Sequence, residues 1–565
     1  MKVVFYSVLK TKCKPIHMHS GFNTLAAFII VFFLFLTTSG QNTVGVIVND
    51  TENAFEGYTL FSIHQDTYLI NNCGEVINHW TSNYLPGNAV YLLEDGSILR
   101  AGKIENPDIP YAGIGGIVEK IDWNNNVTWQ FTWSSPTYTQ HHDTFPMPNG
   151  NVLLLVAEVK SEAGAIEAGR DPANIPDGRL YTEKIIEISP NGFNGGDIIW
   201  EWDIWDHLIQ DIDNTKSNFG DISQNPQLLD INYLGRSGGH TDWLHINSVQ
   251  YNADLDQLLL SVHGLDEIYI IDHSTTTVEA ASHSGGLRGM GGDILYRWGN
   301  PQAYDQGIDE DRQLFGQHYP HWIPASYPDG DKIIIFNNGN GREENFSTID
   351  IIIPPVDEFG NYAHIPGTSF LPEQPDWTYT AETPTDFYSK IISGAQRLPN
   401  GNTLICEGTS GRFFEVNPAG TTVWEYINPE TTSGTIMEQG ETPEGNNVFR
   451  ALRYPTDYPA FIGKDLTPGT PVEMNPDLSP CQEEEEEVEE EPLSAIIIYP
   501  SPVKTTLFVD TLAEVDRIEI YNSTGVFVKK NEYTKSIDLS GVAPGIYFVR
   551  VFSAGKILDK KIIKN

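Results

Sequence analysis

Pro148-Asn149-Gly150-Asn151-Val152-Leu153-Leu154-Leu155 is one of several near-repeats whose reading decides the fold. Pro399-Asn400-Gly401-Asn402 precedes Thr403-Leu404-Ile405, Glu94-Asp95-Gly96-Ser97 precedes Ile98-Leu99, and Pro328-Asp329-Gly330-Asp331 precedes Lys332-Ile333-Ile334-Ile335. Asn-Gly or Asp-Gly between apolar runs marks a β-hairpin, because the tight turn needs positive φ at both central residues. A further strand and turn follow each hairpin and end near tryptophan: Asn124 to Trp133, Asn191 to Trp202, Gly292 to Trp298, Asn417 to Trp424. One unit therefore reads as four antiparallel strands, and such units repeated around an axis make a β-propeller. Units begin near residues 88, 142, 245, 318, 393 and 447. Tyr58 to Trp80 supplies late strands without a first strand, and Asn447 to Tyr458 a first strand without later ones. Joining the two closes the ring without a free sheet edge. The expected fold is all-β: a six-bladed β-propeller over residues 41–462.

The totals agree with short strands. The chain has 565 residues, too many for one ordinary core, with 11% aromatics, 50 Gly and 35 Pro. A formal net charge of -42 argues against nucleic acid or anionic lipid as the main partner. Residues 1–40 read as an export signal: Lys2, Lys10, Lys12 and Lys14, then the 12-residue apolar run Leu25 to Leu36, then Thr37-Thr38-Ser39-Gly40 before a cleavage at Gln41. That run is short against the roughly 20 residues of a membrane span, and no other stretch is apolar enough to cross a bilayer. Beyond Cys13 in the signal, Cys73, Cys406 and Cys481 allow one disulfide and leave one thiol over. No cysteine pair has metal-ligand spacing, and neither a metal nor a cofactor is expected.

Counting back seven residues from the first residue of each turn aligns the first strands. Asp95 leads to Asn88, Asn149 to His142, Asn252 to His245, Asn400 to Ser393 and Asp457 to Arg450. The fourth unit has a longer turn, and its sequence alignment places His318 there. First strands line the central channel of a propeller, so these six residues are expected to ring one mouth. Three histidines and an arginine converging there suit chemistry better than packing; a wet channel lining is the plainer alternative. Asp242 and His240 lie near His245, either orienting it or serving as turn residues, and the turn reading is preferred. Gln210 to Gly238 breaks the spacing and is expected to be a long loop over the channel or a surface insertion. Its Asp211-Ile212-Asp213 lacks the ligand pattern of a calcium loop.

After the propeller the composition shifts. Residues 463–494 are Pro-rich, then acidic, with Glu483 to Glu487 and Glu489 to Glu491, which reads as an extended linker. Residues 495–565 carry ten Lys+Arg against seven Asp+Glu and six short apolar runs, which suggests a small β-sandwich.

That tail resembles the C-terminal sorting domain of the type IX secretion system. The resemblance rests on Tyr499-Pro500-Ser501-Pro502-Val503, Ile518 to Gly525, Leu539 to Tyr547 and Lys560-Lys561-Ile562-Ile563, with Ser501 where the family usually has Asn. It implies export through the periplasm of a Gram-negative, Bacteroidetes-type cell by the type IX machinery, to the surface or the medium. The propeller resembles the bacterial arylsulfate sulfotransferase family through Asp242-Trp243-Leu244-His245-Ile246-Asn247-Ser248, Gln317-His318, Asn337-Asn338-Gly339-Asn340-Gly341-Arg342 and the Asn-Gly turns. The family implies a six-bladed propeller that moves a sulfuryl group from a phenolic sulfate ester to a phenol acceptor. A histidine carries the group, and no nucleotide donor is used. By resemblance His245 and His318 are active-site histidines and Arg342 the sulfuryl clamp; the register adds His142 to the catalytic set. Asn247, Asn88, Arg450 and Ser393 are expected to bind substrate. The family's sulfated histidine is expected near the first strand of the fifth unit, where this chain has Ser393, so His142 or His318 would have to replace it. The alternative is a propeller without catalysis that binds a phenolic, sulfated or glycan ligand at the same mouth.

Overall fold

The computed structural model describes residues 42–482, 496–511, 514–553 and 556–565. The expected export signal with Cys13, and the acidic run from Glu483, lie outside the described residues. Among the described residues, no helix is long and apolar enough to cross a membrane.

Residues 42–482 form an all-β body. The first sheet contains Pro86–Leu92, Ile98–Lys103, Gly116–Ile121 and Val127–Thr132. The second contains Tyr138–Pro146, Val152–Ser161, Arg179–Asn191 and Gly195–Asp203, and the third Ile246–Asn252, Gln257–Val262, Glu267–Asp272 and Ile294–Trp298. The fourth runs through His318–Trp322, Ile333–Asn337, Thr348–Ile352 and Trp377–Tyr379. In the fifth, Gly394–Arg397, Thr403–Glu407, Arg412–Val416 and Thr422–Ile427 gain Gly45–Asn49 as an outer strand. The sixth joins Ala451–Pro455 from the far end of this body to Gly57–Ile63, Asp66–Ile70 and Val76–Thr81 from its start. Tyr58 pairs with Tyr454 across that seam, as the incomplete units predict.

The triple-apolar runs follow from burial on both faces. Side chains alternate along a strand, so a sheet covered on both sides needs an apolar residue at every position. Leu258 and Leu260 pack with Leu153 and Leu155 of the second sheet, while Leu259 between them packs with Ile333 and Ile335 of the fourth. Leu154 turns the other way, against Leu99 and Val118 of the first sheet. Leu404 and Cys406 face Phe61 and Ile63, and Ile405 faces Ile334 and Phe336. Leu60 meets Leu92 and Ile98, which brings the series back to the first sheet.

The recurrent tryptophans tie these sheets together. The indole Nε1–H of Trp80 donates to Asp122 O (2.8 Å), Trp129 to Gly195 O (2.9 Å) and Trp202 to Gly292 O (2.8 Å). Trp298 donates to Pro372 O and Trp424 to Asn72 O, both at 2.7 Å. In each case a fourth strand reaches the outer region of the next sheet.

Two segments depart from the sequence reading. Residues 463–482, expected as the start of a linker, fold back: Pro471 bridges Glu75, Met474 N–H donates to Met437 O (3.0 Å), and Cys481 forms a disulfide with Cys73, 408 residues away. Proline and polar composition marks irregular backbone but not whether that backbone is docked. Cys406 is the buried thiol left over. Gln210 to Gly238 is no simple surface loop, because Ile222, Leu229 and Ile231 are buried and Leu208–Ile209 pairs in parallel with Leu229–Asp230.

In the tail, Ile497–Tyr499, Thr506–Asp510 and Ser536–Asp538 form one sheet. Val515–Asn522, Phe527–Glu532, Gly545–Ser553 and Lys556–Lys564 form another. The two share one apolar cluster around Leu507, Ile518, Ile537 and Val551.

The disulfide restrains a long stretch of the unfolded chain, so its removal acts mainly through that state. Cys481→Ser is expected to lower the urea-unfolding midpoint by an amount equivalent to about 2–5 kcal/mol. An unchanged midpoint would contradict the clamp.

Candidate active site

The first strands carry a repeated backbone device. Asn88 (φ 91°), His142 (47°), His245 (47°), Tyr319 (50°) and Ser393 (90°) all have left-handed backbones. In sheets one to four, strand pairing shifts register at or just after this point. Non-glycine residues with such φ values are uncommon, and each costs on the order of 1–2 kcal/mol. A bulge of this kind re-aims a side chain, which is its use here. The fourth unit corrects the sequence register by one residue: Tyr319, not His318, takes the left-handed place.

The device brings imidazoles together. The His142 and His245 rings meet edge to face with centroids 4.6 Å apart. His245 lies 5.0 Å from His263, and His263 lies 5.4 Å from His318. Tyr111 stacks on His245 at 5.4 Å and 13°. First strands of the first three sheets are knitted by one buried polar group to Arg450, which immediately precedes Ala451–Pro455 of the sixth. Arg450 pairs with Asp143 (3.3 Å) and donates to the Tyr91 hydroxyl (2.7 Å); Tyr91 donates to Asp143 (3.0 Å), and Gln250 to Tyr91 (3.0 Å).

Hydrogen bonding sets the tautomers. Glu183 accepts from the Tyr111 hydroxyl (2.7 Å), from Ile246 N–H (3.2 Å) and from His141 Nε2 (2.7 Å). With Nε2–H committed to Glu183, neutral His141 offers a lone pair at Nδ1. His142 Nδ1, 2.9 Å away, donates to it. The network thereby assigns the His142 lone pair to Nε2. Gly113 leaves room there: a Cβ at its position would collide with Nε2. His245 Nδ1–H donates to Asp242 (2.7 Å), which leaves the lone pair of the neutral ring at Nε2. His318 differs, because Nδ1 meets Asn338 Oδ1 (2.8 Å) and Nε2 already accepts Ile392 N–H (3.1 Å).

The two facing histidines are pushed apart in basicity. Burial, then the neighbouring His245 charge, holds His142 well below ordinary imidazole. Burial acts on His245 too, but the Asp242 carboxylate, by its charge and its hydrogen bond, raises it above the ordinary value. His318 is lowered to about 3, chiefly by burial. Burial, with Asp242 and Glu183 nearby, raises the Tyr111 phenol, which keeps its proton.

Several expected residues have other duties. Arg450 and Asp143 are buried and paired with each other, so Arg450 ties strands of separate sheets together. Arg342 spends its guanidinium on Phe346 O (3.0 Å) and Thr348 Oγ1 (3.1 Å), over the Phe346 ring. The Ser393 hydroxyl donates to Ser389 Oγ (2.8 Å) and accepts Gly408 N–H (3.0 Å). Asn247 is buried and donates to Gln317 O (2.9 Å), which joins two first strands. Asn88 is a left-handed strand residue in the first sheet. Asp242, read as a turn residue, orients His245; His240 is exposed beside Asp177, as that reading expects.

Sequence reasoning missed His141, Glu183, Tyr111, His263 and Arg236. His263 and Arg236 flank Gly316, where an added Cβ would lie 3.3 Å from His263 Nε2 and 3.4 Å from Arg236 Cζ. Arg236 comes from the inserted segment and is held by Asp266 (3.1 Å). The pair Gln140-His141-His142-Asp143 was a usable signal for His141; Tyr111, in a loop between strands, had none.

Residues 62–450 match the model of the arylsulfotransferase (ASST) family, more than half of the chain. The chain belongs to the arylsulfotransferase family. Residues 497–565 of this family member match a secretion system C-terminal sorting domain, which marks it for export. Comparison with curated proteins gives no match. Among solved structures, a Bacteroides caccae protein of unknown function is similar at 9% identity and TM-score 0.38, over 70% of this chain and 98% of that one. A putative 6-phosphogluconolactonase from Bacteroides fragilis is similar at 10% identity and TM-score 0.31, over 71% and 98%. Virginiamycin B lyase from Staphylococcus aureus is similar at 12% identity and TM-score 0.28, over 65% and 83%.

The opposed shifts can be read directly. In ring-carbon NMR of this arylsulfotransferase-family protein, with peaks assigned by single His→Gln variants, His142 is expected to stay neutral over the range of about pH 5 to 8 in which free imidazole titrates. His245 is expected to titrate above free imidazole, and Asp242→Asn to bring its midpoint down. Matching titration of the two rings would contradict the assignment.

Proposed function

We propose that this arylsulfotransferase-family chain moves a sulfuryl group between phenols, with His142 as nucleophile and His245 as its acid–base partner. The observation that carries the reading is the split environment of two touching imidazoles, one held neutral and one held basic. Groups whose surroundings drive their basicities apart take opposite proton roles. His142 Nε2 attacks the sulfur of an aryl sulfate; the N–S bond forms as the S–O(aryl) bond breaks. Protonated His245 gives its Nε2 proton to the departing phenolate. An acceptor phenol then passes its proton back to His245 as its oxygen attacks sulfur, and the N–S bond breaks. Glu183, through His141, holds the Nδ1–H of His142 and favours the imidazolium-like charge that develops on attack. Arg236, beside His263, is the cation we assign to the sulfuryl oxygens, since an arginine fork suits two of them at once. Arg342 supports the neighbouring 339–346 turn.

We further read the six sheets as the blades of one propeller, with His142 and His245 at a mouth of its channel, and residues 495–565 as a sorting sandwich for the type IX machinery. The product would be formed at the cell surface or outside it.

Turnover of p-nitrophenyl sulfate with phenol as acceptor tests the assignment. Nitrophenol release is expected from the mature chain and not from His142→Ala. Asp242→Asn should slow the reaction by about 10²-fold or more, and by a larger factor with phenyl sulfate, whose poorer leaving group depends more on the acid. Release by His142→Ala at the parent rate would overturn the nucleophile. No release from the parent chain would leave the mouth as a ligand-binding site only.

A further inference from the structure

A second cluster lies beside the outer strands of sheets two and three, apart from the imidazoles of the first strands. His207 ends the short turn Ile204–His207 that follows Gly195–Asp203; Asp293 precedes Ile294–Trp298; His283 lies on the loop between them. One ligand atom from each lies within 4.8 Å of the other two.

Its hydrogen bonds leave an electrostatic conflict. His207 Nε2 is 2.8 Å from Ala280 O, and a carbonyl can only accept, so Nε2 carries hydrogen. Nδ1 of the neutral ring is then a lone pair, yet it faces Asp293 Oδ1 at 2.8 Å. His283 Nδ1 approaches the same oxygen at 2.7 Å. Two acceptors in contact need a hydrogen or a cation between them: a proton shared by the ring and the carboxyl, or a metal ion. The rest of the site suits the ion. An imidazole whose other nitrogen donates to a backbone carbonyl is the usual form of a metal-bound histidine. The Trp202 indole lies parallel to the His207 ring at 5.9 Å, and Gly292 admits no Cβ, since one would collide with Ala280 O. His207 is thus fixed, Asp293 is buried, and His283 is 61% exposed and opens the cluster to solvent.

We infer that His207, His283 and Asp293 form a divalent transition-metal site, best suited to Zn²⁺, that pins the outer edge of the third sheet to the second. Two imidazoles and one carboxylate match zinc better than calcium or magnesium, which prefer oxygen alone. Ligand bonds of about 2.0–2.2 Å require the present N···O contacts to open by roughly half an ångström; the exposed His283 can withdraw from its contact, and rotation of the Asp293 carboxylate opens the one to His207. Water fills the fourth position. The site departs from the sequence expectation of no metal, because its ligands come from three separate segments with no motif spacing.

Chelator-treated mature protein titrated with Zn²⁺ is expected to bind one ion per chain with His283 and Asp293 present, and to gain thermal stability on binding. Co²⁺ in its place should give visible d–d bands. His283→Gln, at an exposed position, should weaken binding at least about tenfold while the protein remains folded and its aryl sulfate turnover is unchanged. Asp293→Asn should do the same to binding. Absence of tight Zn²⁺ binding, or binding unaltered in both variants, would overturn the site without bearing on the sulfuryl reaction.

Discussion

Burial on both faces of the inner strands of the six sheets in residues 42–482 is the constraint on which the rest of this structure depends. It explains why strands such as Leu258-Leu259-Leu260 have no polar alternation: odd and even positions face different neighbouring sheets, and both neighbours are apolar. It also explains the tryptophans. A buried indole must place its N–H, and here it is placed on a carbonyl of the next sheet, so the same residue packs and ties. The first strands differ, carrying buried polar groups among their apolar ones. There the polar groups satisfy one another, with Arg450, Asp143 and Tyr91 joining strands from separate sheets. Removing one partner of such a buried pair would strand the other, at a cost of about 3–5 kcal/mol.

The catalytic proposal grows from the same first strands. A left-handed residue at the head of a first strand is strained, and the surrounding sheet holds it. In two consecutive sheets that residue is histidine, and the two rings touch. Identical side chains at equivalent backbone positions nevertheless differ chemically. His142 is backed by another imidazole and only then by Glu183, whereas His245 is backed directly by Asp242. In the proposed reaction, that one intervening ring is what separates the nucleophile from the acid–base group. Ser393, at the matching place in the fifth sheet, is bonded to Ser389 and Gly408.

Much of this was legible in the sequence, for a physical reason. Asn-Gly turns and the apolar runs beside them are local, so the hairpins, the closing seam and the strand heads could be counted from residues such as Asn149, Asn252 and Asn400. The count slipped by one at Tyr319, where the turn is longer and the local rule has no fixed length. It could not show the partners of a polar residue at a strand head: Arg450 meets Asp143, more than three hundred residues earlier, only in the folded chain. Tyr111, His263 and Arg236 arrive from a loop, the end of a second strand and an insertion, and no short-range pattern links them to His245. The docking of residues 463–482 is invisible for the same reason, since Cys481 finds Cys73 only after the sheets have closed.

Location of the transferred group tests the central assignment most directly. The mature protein would be mixed with excess aryl sulfate without acceptor, quenched in base to preserve an N–S bond, digested and mapped by mass spectrometry. One sulfuryl group on the peptide holding His142, with fragmentation placing it on His142 and not on His141, is the predicted result. Sulfuryl on the peptide of His245 or His318, with His142 unmodified, would contradict it.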